Sequence, residues 1–470
     1  METAKNLLVI MSDEHRRDAM GCSGHSIVKT PHLDRLAARG TRFTNAYTPS
    51  PMCVPARAAL ACGDHVHKLG YWDSATAYDG ARRSWMHDVG AAGMPVTSIG
   101  KLHFRSEADD TGFAEQVLPM HVVDGVGWPI GLLRSNPPPF DGAAELAADV
   151  GAGPSSYTDY DRAITGAAEA WLRARRAEDG PWTSFVSLVS PHYPLRAPEE
   201  FFALYDPAVM DPPIAADRPP VHPEIRALRD FFCYHDHFDA QTVQRARAAY
   251  YGLISFLDDC IGRILAALED SGQAGETLVV YASDHGDMMG DQGIWTKQVM
   301  YEASAGVPMI CAGPGVPQGA RCATTASLLD IAGTARDVAG LAPRGPGRSL
   351  RALANAPEDR GRSVLSEYHD GGSTTGAFML RWEGWKYVHY SGLRPQLFNL
   401  DEDPHELQDL AERADHAAVL SEGETRLRVI CDPEAVNARC FADQARRIAE
   451  LGGEAACRSA RVFNHTPTPA

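Results

Sequence analysis

The sequence predicts an α/β fold, in which a large, mostly parallel mixed sheet is sandwiched by helices and a smaller α+β subdomain follows at the C-terminus. Three observations lead to this prediction. Short apolar runs alternate with amphipathic helical segments, an order that is typical of parallel sheets with helices on both faces. Clusters of polar residues directly follow the apolar runs. Beyond residue 365 the apolar segments become short and closely spaced, which favours antiparallel strands.

Four apolar runs are the predicted strands of the large sheet. They lie at residues 6–13, 95–104, 182–194 and 275–287. Helical periodicity marks residues 30–47, which begin with a Thr-Pro start signal, and residues 160–180 and 242–272, which both end at glycine. In open α/β sheets, ligands bind beyond the carboxyl ends of the strands. The polar residues after these runs are therefore candidates for a functional site.

The change in length and spacing of the apolar segments predicts two domains. Residues 1–365 contain the large sheet, and residues 366–470 form the C-terminal subdomain. Within the second, residues 376–390 and 395–407 have the pattern of short antiparallel strands. Helices are expected to about residue 460, and the proline-containing end is expected to be an extended tail.

The overall charge excludes one class of function. The 470 residues include 61 acidic and 44 basic side chains, a net charge of −17. Non-specific nucleic-acid binding depends on basic surface, so we expect no nucleic-acid partner. An anionic substrate is still possible, because a few local cations or a metal can reverse the sign of the charge inside a pocket.

Apolar segments and cysteines indicate the compartment. No segment reaches the roughly 18 apolar residues of a membrane span, and the run LLVIM near the start is too short for the core of a signal peptide. We therefore expect a cytoplasmic protein with no membrane partner. The ten cysteines show no regular pairing and no Cys-x-x-Cys, so we expect free thiols and no cysteine zinc site.

Two pairs of possible metal ligands follow predicted strands. Asp13 and Glu14 follow the first, and Asp284 and His285 follow a much later one. If the two strands are neighbours in a parallel sheet, these side chains converge and can hold one divalent cation. The alternative is that acids after strands merely cap helices, which is common.

A second set of residues suits an anion. Lys101, His103, His192 and Lys297 also follow predicted strands. Together they offer positive charge to a tetrahedral anion and an acid for a leaving group. Each one alone is as well explained as a surface lysine or a loop histidine. The stretch SPMCVPARAALACG adds Cys53, which is either a buried thiol at a loop-to-helix junction or a nucleophile.

Four stretches resemble motifs of one family, the formylglycine-dependent sulfatases of the alkaline phosphatase superfamily. CVPARAALACG, beginning at Cys53, resembles the signature Cys-x-Pro-x-Arg with its later Gly, and IGKLH resembles the second signature. VVYASDHGDMMGDQGIWTK is similar to the late metal segment with its trailing lysine, and LFNLDEDPHELQDLA resembles the C-terminal sequence of many sulfatases. The motifs keep their order from residue 6 to about 412. The resemblance implies an alkaline phosphatase-like fold.

The resemblance also implies a role for each site residue. Cys53 would be oxidised to formylglycine by a maturation enzyme that reads Pro55 and Arg57, and Arg57 would hold the hydrated aldehyde in the folded site. The implied metal ligands, together with the formylglycine at Cys53, are Asp13, Glu14, Asp284 and His285. Lys101 and Lys297 would bind sulfate oxygens, His103 would bond the second hydroxyl of the hydrate, and His192 would face the leaving-group oxygen. The implied reaction is metal-dependent hydrolysis of a sulfate ester.

Departures from the family pattern leave two questions open. The first pair is Asp-Glu, so Glu14 either reaches the metal or lies behind its ligands. The late pair is Asp-His, as in phosphonate monoester hydrolases and choline sulfatases of the superfamily, and imidazole suits Mn²⁺ or Zn²⁺ better than Ca²⁺. We expect Mn²⁺ or Ca²⁺. Hydrolysis of phosphonate monoesters or phosphodiesters, alone or beside sulfate esters, is the alternative function.

Further expectations concern the substrate and assembly. Asp73, in GYWDSA, either contacts a cationic part of the substrate or caps a turn, and Tyr71 and Trp72 beside it fit a protein core better than an aromatic cage. The tail FNHTPTPA resembles the ends of choline-sulfatase-like chains, which reach a neighbouring subunit; otherwise it is a disordered terminus. We expect a homodimer or homotetramer.

Overall fold

Side chains of the first strand are buried on both faces, so this strand lies at the centre of the sheet. In the computed structural model, which describes residues 4–138, 140, 142–218, 220–460 and 465–469, this strand spans Asn6–Asp13. Leu7, Val9 and Met11 pack into one apolar cluster, while Leu8 and Ile10 pack into another on the opposite face. This continuous apolar run is typical of a strand that is covered by helices on both faces.

The strands of the described residues are, in chain order, β1 (Asn6–Asp13), β2 (Gly40–Phe43), β3 (Ala46–Tyr47), β4 (Val96–Lys101), β5 (Glu115–Met120), β6 (Gly151–Ala152), β7 (Thr183–Pro191), β8 (Arg196–Ala197), β9 (Thr277–Ser283), β10 (Met309–Ala312), β11 (Ala320–Cys322), β12 (Ala326–Ser327), β13 (Val364–Tyr368), β14 (Ala377–Trp382), β15 (Trp385–Tyr390) and β16 (Gln396–Asn399).

The helices of the same residues are α1 (Pro31–Ala38), α2 (Cys53–Cys62), α3 (Val66–Leu69), α4 (Trp85–Ala91), α5 (Gly142–Ala148), α6 (Ser156–Ala174), α7 (Glu199–Phe202), α8 (Pro223–Phe232), α9 (Ala240–Asp270), α10 (Glu302–Ala305), α11 (Leu329–Val338), α12 (Leu350–Asn355), α13 (Ala417–Ile430), α14 (Pro433–Glu450) and α15 (Glu454–Arg458).

The large sheet has eight strands in the order β11-β2-β10-β9-β1-β7-β4-β5. Strand β10 runs antiparallel to both of its neighbours, and the other pairings are parallel. Helices α1, α6 and α9 cover one face, and α2, α4, α11 and α12 cover the other. The predicted fold, a mostly parallel mixed sheet sandwiched by helices, is confirmed.

Two predicted helices are shorter than their sequence patterns. The segment 30–47 is helical only to Ala38, because Gly40 begins strand β2, which lies between β10 and β11 in the sheet. A Cβ at Gly40 would lie 2.3 Å from the carbonyl oxygen of Cys311 on β10, so this pairing needs a glycine. The second helix, predicted over 160–180, ends at Ala174, well before Gly180.

The C-terminal part contains the predicted antiparallel strands and helices. Strands β13 to β16 form a four-stranded antiparallel sheet in sequential order, and α13 packs against β14 and β15. The predicted domain boundary after residue 365 falls inside β13, so β13 belongs to this sheet as a whole; the division into two domains stays a prediction. Of the tail, residues 461–464 and 470 lie outside the described residues.

None of the described helices combines the length and apolar character needed to cross a membrane.

Candidate active site

The parallel pairing of β1 with β9 brings the two predicted acidic segments together. Ser12 is the register partner of Ser283, so Asp13 and Asp284 leave the sheet side by side. The backbone N–H of Glu14 donates to Oδ1 of Asp284 at 3.2 Å, which joins the two segments directly. Both aspartates and His285 are fully buried. Neighbouring strand ends thus form the base of the site, as the topology rule for α/β sheets predicts.

Cys53 is the first residue of α2 and reaches the same point. Its Sγ lies 3.0 Å from Nε2 of His285 and 3.5 Å from Oδ1 of Asp13. The ligand atoms of Asp13, Cys53, Asp284 and His285 all lie within 4.8 Å of one another. Nδ1 of His285 lies 3.0 Å from the carbonyl oxygen of Gly286, and donation there leaves Nε2 free to ligate.

Arg57, one turn along α2, neutralises both aspartates. Its Nε donates to Oδ2 of Asp284 at 2.8 Å, and one terminal nitrogen lies 3.2 Å from Oδ2 of Asp13. The other terminal nitrogen donates to the carbonyl oxygen of Lys101 at 2.8 Å and to Oγ of Ser187 at 2.9 Å. A planar guanidinium can make all of these contacts at once, whereas an ammonium cannot.

Lys101 is the last residue of β4, and His103 lies two residues further on. Nζ of Lys101 is 2.6 Å from Oδ2 of Asp13. Burial favours the neutral acid, but Lys101 and the other nearby cations outweigh it and hold the pKa of Asp13 well below its usual value. His103 is buried with φ of 54°, and neither of its ring nitrogens has a partner among the described residues. Such unpaired buried nitrogens fit a residue that meets a ligand.

Glu14, His192 and Lys297 form a second group beside the first. Nζ of Lys297 lies 2.8 Å from Oε2 of Glu14 and 2.9 Å from Nε2 of His192. Burial raises the pKa of Glu14 and lowers that of His192. The Glu14 carboxylate faces Lys297 and is not among the three side chains grouped with Cys53; with Asp13 and His192 it forms a second set of possible ligands. Its role as a metal ligand stays a prediction.

Above these groups lies a cavity of about 720 Å³, measured with its open mouth. Cys53, His103, His192 and Lys297 line its base. Most of the wall is apolar or aromatic, formed by Met52, Val54, Val122, Trp128, Phe140, Tyr157, Tyr193, Phe232 and Tyr234. The phenyl ring of Phe140 meets those of Trp128, Phe232 and Tyr234 edge to face. The cavity therefore offers a charged base and an aromatic wall.

Asp73 lies outside this cavity, while its neighbour Ser74 lines it. The carboxylate of Asp73 accepts hydrogen bonds from Nε2 of Gln444 at 2.8 Å and from the backbone of Ala75 at 3.0 Å. This is the turn-capping arrangement. Trp72 is likewise buried and donates to Asp443, as expected of a core residue. Asp73 as a substrate contact stays a prediction.

Several residues of the site were not found from the sequence. Tyr157 at the start of α6 packs near His192 and lies over the Lys101 ammonium, 6.0 Å from Nζ to its ring centroid. Its hydroxyl donates to the carbonyl oxygen of Thr466, so the tail segment 465–466 also lines the cavity within the same chain. Ser187 was missed as well. No motif marks these residues, because they reach the site from separate elements.

Comparisons with known proteins agree with this geometry. The sequence profile of the family described as Sulfatase matches residues 5–341, most of the chain. The chain belongs to the sulfatase family. A second profile, N-sulphoglucosamine sulphohydrolase, C-terminal, matches residues 290–431 of this sulfatase, which include the antiparallel sheet. The family's reaction is the hydrolysis of sulfate esters, so the enzyme is a sulfuric ester hydrolase.

Individual relatives support the same assignment. This sulfatase is 32% identical to choline-sulfatase of Rhizobium meliloti (strain 1021) over 95% of its own length and 91% of that protein. It is 30% identical to arylsulfatase K of Danio rerio over 86% of its length and 80% of that protein. Among solved structures, phosphonate monoester hydrolase of Agrobacterium radiobacter matches with a TM-score of 0.74 at 26% identity, covering 93% of this chain and 96% of the other.

Proposed function

We propose that this sulfatase hydrolyses sulfate esters with a formylglycine made from Cys53 and one divalent metal ion, Mn²⁺ or Ca²⁺. The observation that carries the proposal is the convergence of Asp13, Cys53, Asp284 and His285 within 4.8 Å. Carboxylate oxygens and an imidazole suit both ions, and His285 favours Mn²⁺. A metal held here would neutralise the charge of the ester oxygens and promote attack on sulfur.

The state of the Cys53 thiol supports the need for modification. Burial and the nearby Asp13 carboxylate raise its pKa to about 12. Without a metal ion the thiol therefore stays protonated at neutral pH and is a poor nucleophile. The hydrated aldehyde of a formylglycine would supply one hydroxyl for attack and a second whose deprotonation releases the sulfate. Arg57 contacts both neighbouring carboxylates and would hold that hydrate in place.

The remaining groups have distinct tasks in the proposed reaction. Nζ of Lys101 lies 2.6 Å from Asp13 and Nζ of Lys297 lies 2.9 Å from His192, and both ammonium groups would bind the negatively charged oxygens of the sulfate group. His192 lines the cavity and would stand next to the leaving-group oxygen. His103, with both ring nitrogens unpaired, would accept the proton from the second hydroxyl.

The cavity wall supports a particular kind of leaving group. Among the described lining residues, Lys297 and three histidines are the basic side chains, and no arginine is present. A heavily sulfated saccharide would need further cations for its other anionic groups, and the chain's net charge of −17 would repel it. The aromatic wall instead suits a small, non-anionic alcohol that packs against ring faces, either an aryl group or an alkylammonium group.

A second candidate function is hydrolysis of phosphonate monoesters or phosphodiesters. Two observations favour keeping it: the ligand His285 beside Asp284, and the similarity to phosphonate monoester hydrolase of Agrobacterium radiobacter over 93% of this chain. The metal, the two lysines and the hydrate would serve either ester, because phosphonate and sulfate esters are both tetrahedral and anionic.

The cellular setting is part of the same proposal. All ten cysteines are free thiols, which supports a reducing cytoplasm as the working compartment. Pro55 and Arg57 stand where a formylglycine-generating enzyme would read the motif. A homodimer or homotetramer stays a prediction, which light scattering of the purified protein would test.

Steady-state kinetics on matched esters tests the proposed function. The enzyme, co-expressed with a formylglycine-generating enzyme, would be given 4-nitrophenyl sulfate, choline sulfate, glucosamine 2-N,6-O-disulfate and the 4-nitrophenyl monoester of phenylphosphonic acid. We expect the highest kcat/KM on one of the first two. Highest efficiency on the phosphonate would favour the second candidate, and highest efficiency on the charged saccharide would refute our assignment of the leaving group.

A further inference from the structure

The loop that carries Lys297 has an unfavourable backbone conformation. Thr296 and Gln298, on either side of the lysine, have φ of 62° and 81°. Residues with a Cβ rarely adopt this left-handed region, and for the β-branched Thr296 it is a clear outlier. Such a conformation persists only when the surrounding structure holds it. The contacts that hold this loop therefore determine where the Lys297 ammonium lies.

One of these contacts comes from the C-terminal sheet. Lys386, on β15, is fully buried and donates from Nζ to the carbonyl oxygen of Met300 at 2.7 Å, three residues after Lys297. The same nitrogen lies 2.7 Å from Oε1 of Glu302 and 2.7 Å from Oε1 of Glu406. The ammonium thus makes one hydrogen bond, to Met300, and two ion pairs, with Glu302 and Glu406.

The two glutamates continue the network in both directions. Oε2 of Glu406 accepts the backbone N–H of Glu302 at 2.6 Å, so Glu406 holds the start of α10 directly after the loop. Oε2 of Glu302 accepts from the hydroxyl of Tyr47 at 3.0 Å and pairs with Arg17, which follows β1. The network thus joins the C-terminal sheet to segments that lead to Lys297 and to the metal ligands.

We propose that Lys386 and Glu406 are positioning residues that hold the Lys297 loop in its binding conformation. This assigns a structural role to the C-terminal motif LFNLDEDPHELQDLA. Glu406 is the second of its two glutamates and has φ of 56°. Neither residue lines the cavity over the catalytic groups. Their effect on the reaction would pass through Lys297, so the inference depends on the proposed function, in which Lys297 binds the sulfate group.

A double-mutant cycle between Lys386 and Lys297 tests the inference. The variants are Lys386→Met, Lys297→Ala and the double variant, each with formylglycine content measured by mass spectrometry. We expect Lys386→Met to lower kcat/KM at least tenfold and to raise the inhibition constant of inorganic sulfate. In the Lys297→Ala background the same change should cost less than threefold, because coupled residues are not additive.

Arg362→Met is the matched control. Arg362 is also a buried cation: it pairs with Asp330 at 2.6 Å and donates to the carbonyl oxygen of Thr325, and neither partner belongs to the Lys297 loop. It should lower the melting temperature and leave kcat/KM of the folded enzyme within threefold. If Lys386→Met fails to fold, the double variant Lys386→Met/Glu406→Gln removes one charge of each sign and leaves Glu302 paired with Arg17. This variant should show the same loss and the same dependence on Lys297.

The outcomes distinguish a failure of the proposed role of Lys297 from a failure of the positioning role of Lys386. A wild-type enzyme that loses no activity on Lys297→Ala would overturn the proposed role of Lys297. A large loss on Lys297→Ala, combined with a fully multiplicative loss on Lys386→Met, would overturn only the positioning role. Hydrogen exchange gives an independent readout: in Lys386→Met, the amides of residues 294–301 should exchange faster than in wild type and faster than in Arg362→Met.

Discussion

Sγ of Cys53 lies 3.0 Å from Nε2 of His285, although 232 positions separate the two residues in the chain. This contact forms because α2 begins directly over the neighbouring ends of β1 and β9. It places the proposed nucleophile and a proposed metal ligand at one point.

Replacement of Cys53 tests the nucleophile. Cys53→Ala should abolish turnover, because an alanine cannot be converted to an aldehyde. In the wild type, co-expression with a maturation enzyme should lower the intact mass by about 18 Da, the change from a thiol to an aldehyde. Cys62→Ala, at the other end of α2, is the control and should keep the mass shift and the activity. Turnover by Cys53→Ala would refute the assignment.

Removal of the metal should stop the reaction, and the extent of its recovery should depend on which metal ion is added back. We expect dialysis against a chelator to abolish activity, and Mn²⁺ to restore more of it than Ca²⁺ because His285 offers an imidazole ligand. Asp284→Asn should lower the affinity for the metal ion, since it removes one negative charge from the proposed ligands. Metal content by mass spectrometry would check both results; full activity in a metal-free sample would contradict the proposed site.

The guanidinium of Arg57 should not be replaceable by an ammonium. Arg57→Lys loses the fork that joins Asp13 and Asp284, so we expect kcat/KM to fall by about 10²-fold or more, the cost of one preorganised donor group. Because Arg57 also belongs to the maturation motif, activity has to be normalised to formylglycine content. A fully modified Arg57→Lys enzyme with wild-type kinetics would contradict this expectation.

Lys297 should matter for the sulfate group itself. Lys297→Ala removes the cation beside His192 and Cys53, and we expect a loss of about 10²–10³-fold in kcat/KM. Lys68→Ala is the control, because that lysine is half exposed and pairs only with Asp64. The losses on a sulfate ester and on a phosphonate ester should be similar, since Lys297 would contact the shared tetrahedral anion.

A buried carboxylate outside the catalytic groups predicts a pH dependence of stability. Burial alone would raise the pKa of Glu367, but hydrogen bonds from His369 and His67 outweigh it and lower this pKa below its usual 4.5. The folded state therefore binds this proton more weakly than the unfolded state. The stabilisation is complete above pH 4.5 and is lost as the pH falls further.

Urea unfolding of Glu367→Gln measures this contribution. The difference in free energy of unfolding from wild type should be largest at neutral pH, about 3 kcal/mol or more for loss of a buried charged partner. It should shrink as the pH drops below about 4. A difference that stays constant from pH 7 to pH 3 would show that Glu367 does not carry its charge in the folded protein.

Local pattern was enough for much of the fold and of the site. Continuous apolar runs such as Asn6–Asp13 predict buried strands, and the alternation with helices predicts a parallel sheet. Polar residues at strand ends then follow, which is why Asp13, Asp284 and His285 were found from position alone. The segment 30–47 shows the limit: its apolar stripe predicts a helix, but the helix ends at Ala38 and Gly40 begins a strand that packs closely against Cys311.

The sequence by itself determined which residue types the candidate site offers, because Cys53 with its flanking motif and the two pairs at strand ends are each written in consecutive residues. Only the tertiary structure decided which of these side chains face the cavity and which do not. Glu14 contacts Lys297, and Asp73 contacts Gln444 outside the cavity. Tyr157 and the tail segment line the cavity. The direction of a side chain depends on contacts between segments far apart in the chain. Those contacts, such as that of Lys386 with Met300, leave no local signal in sequence.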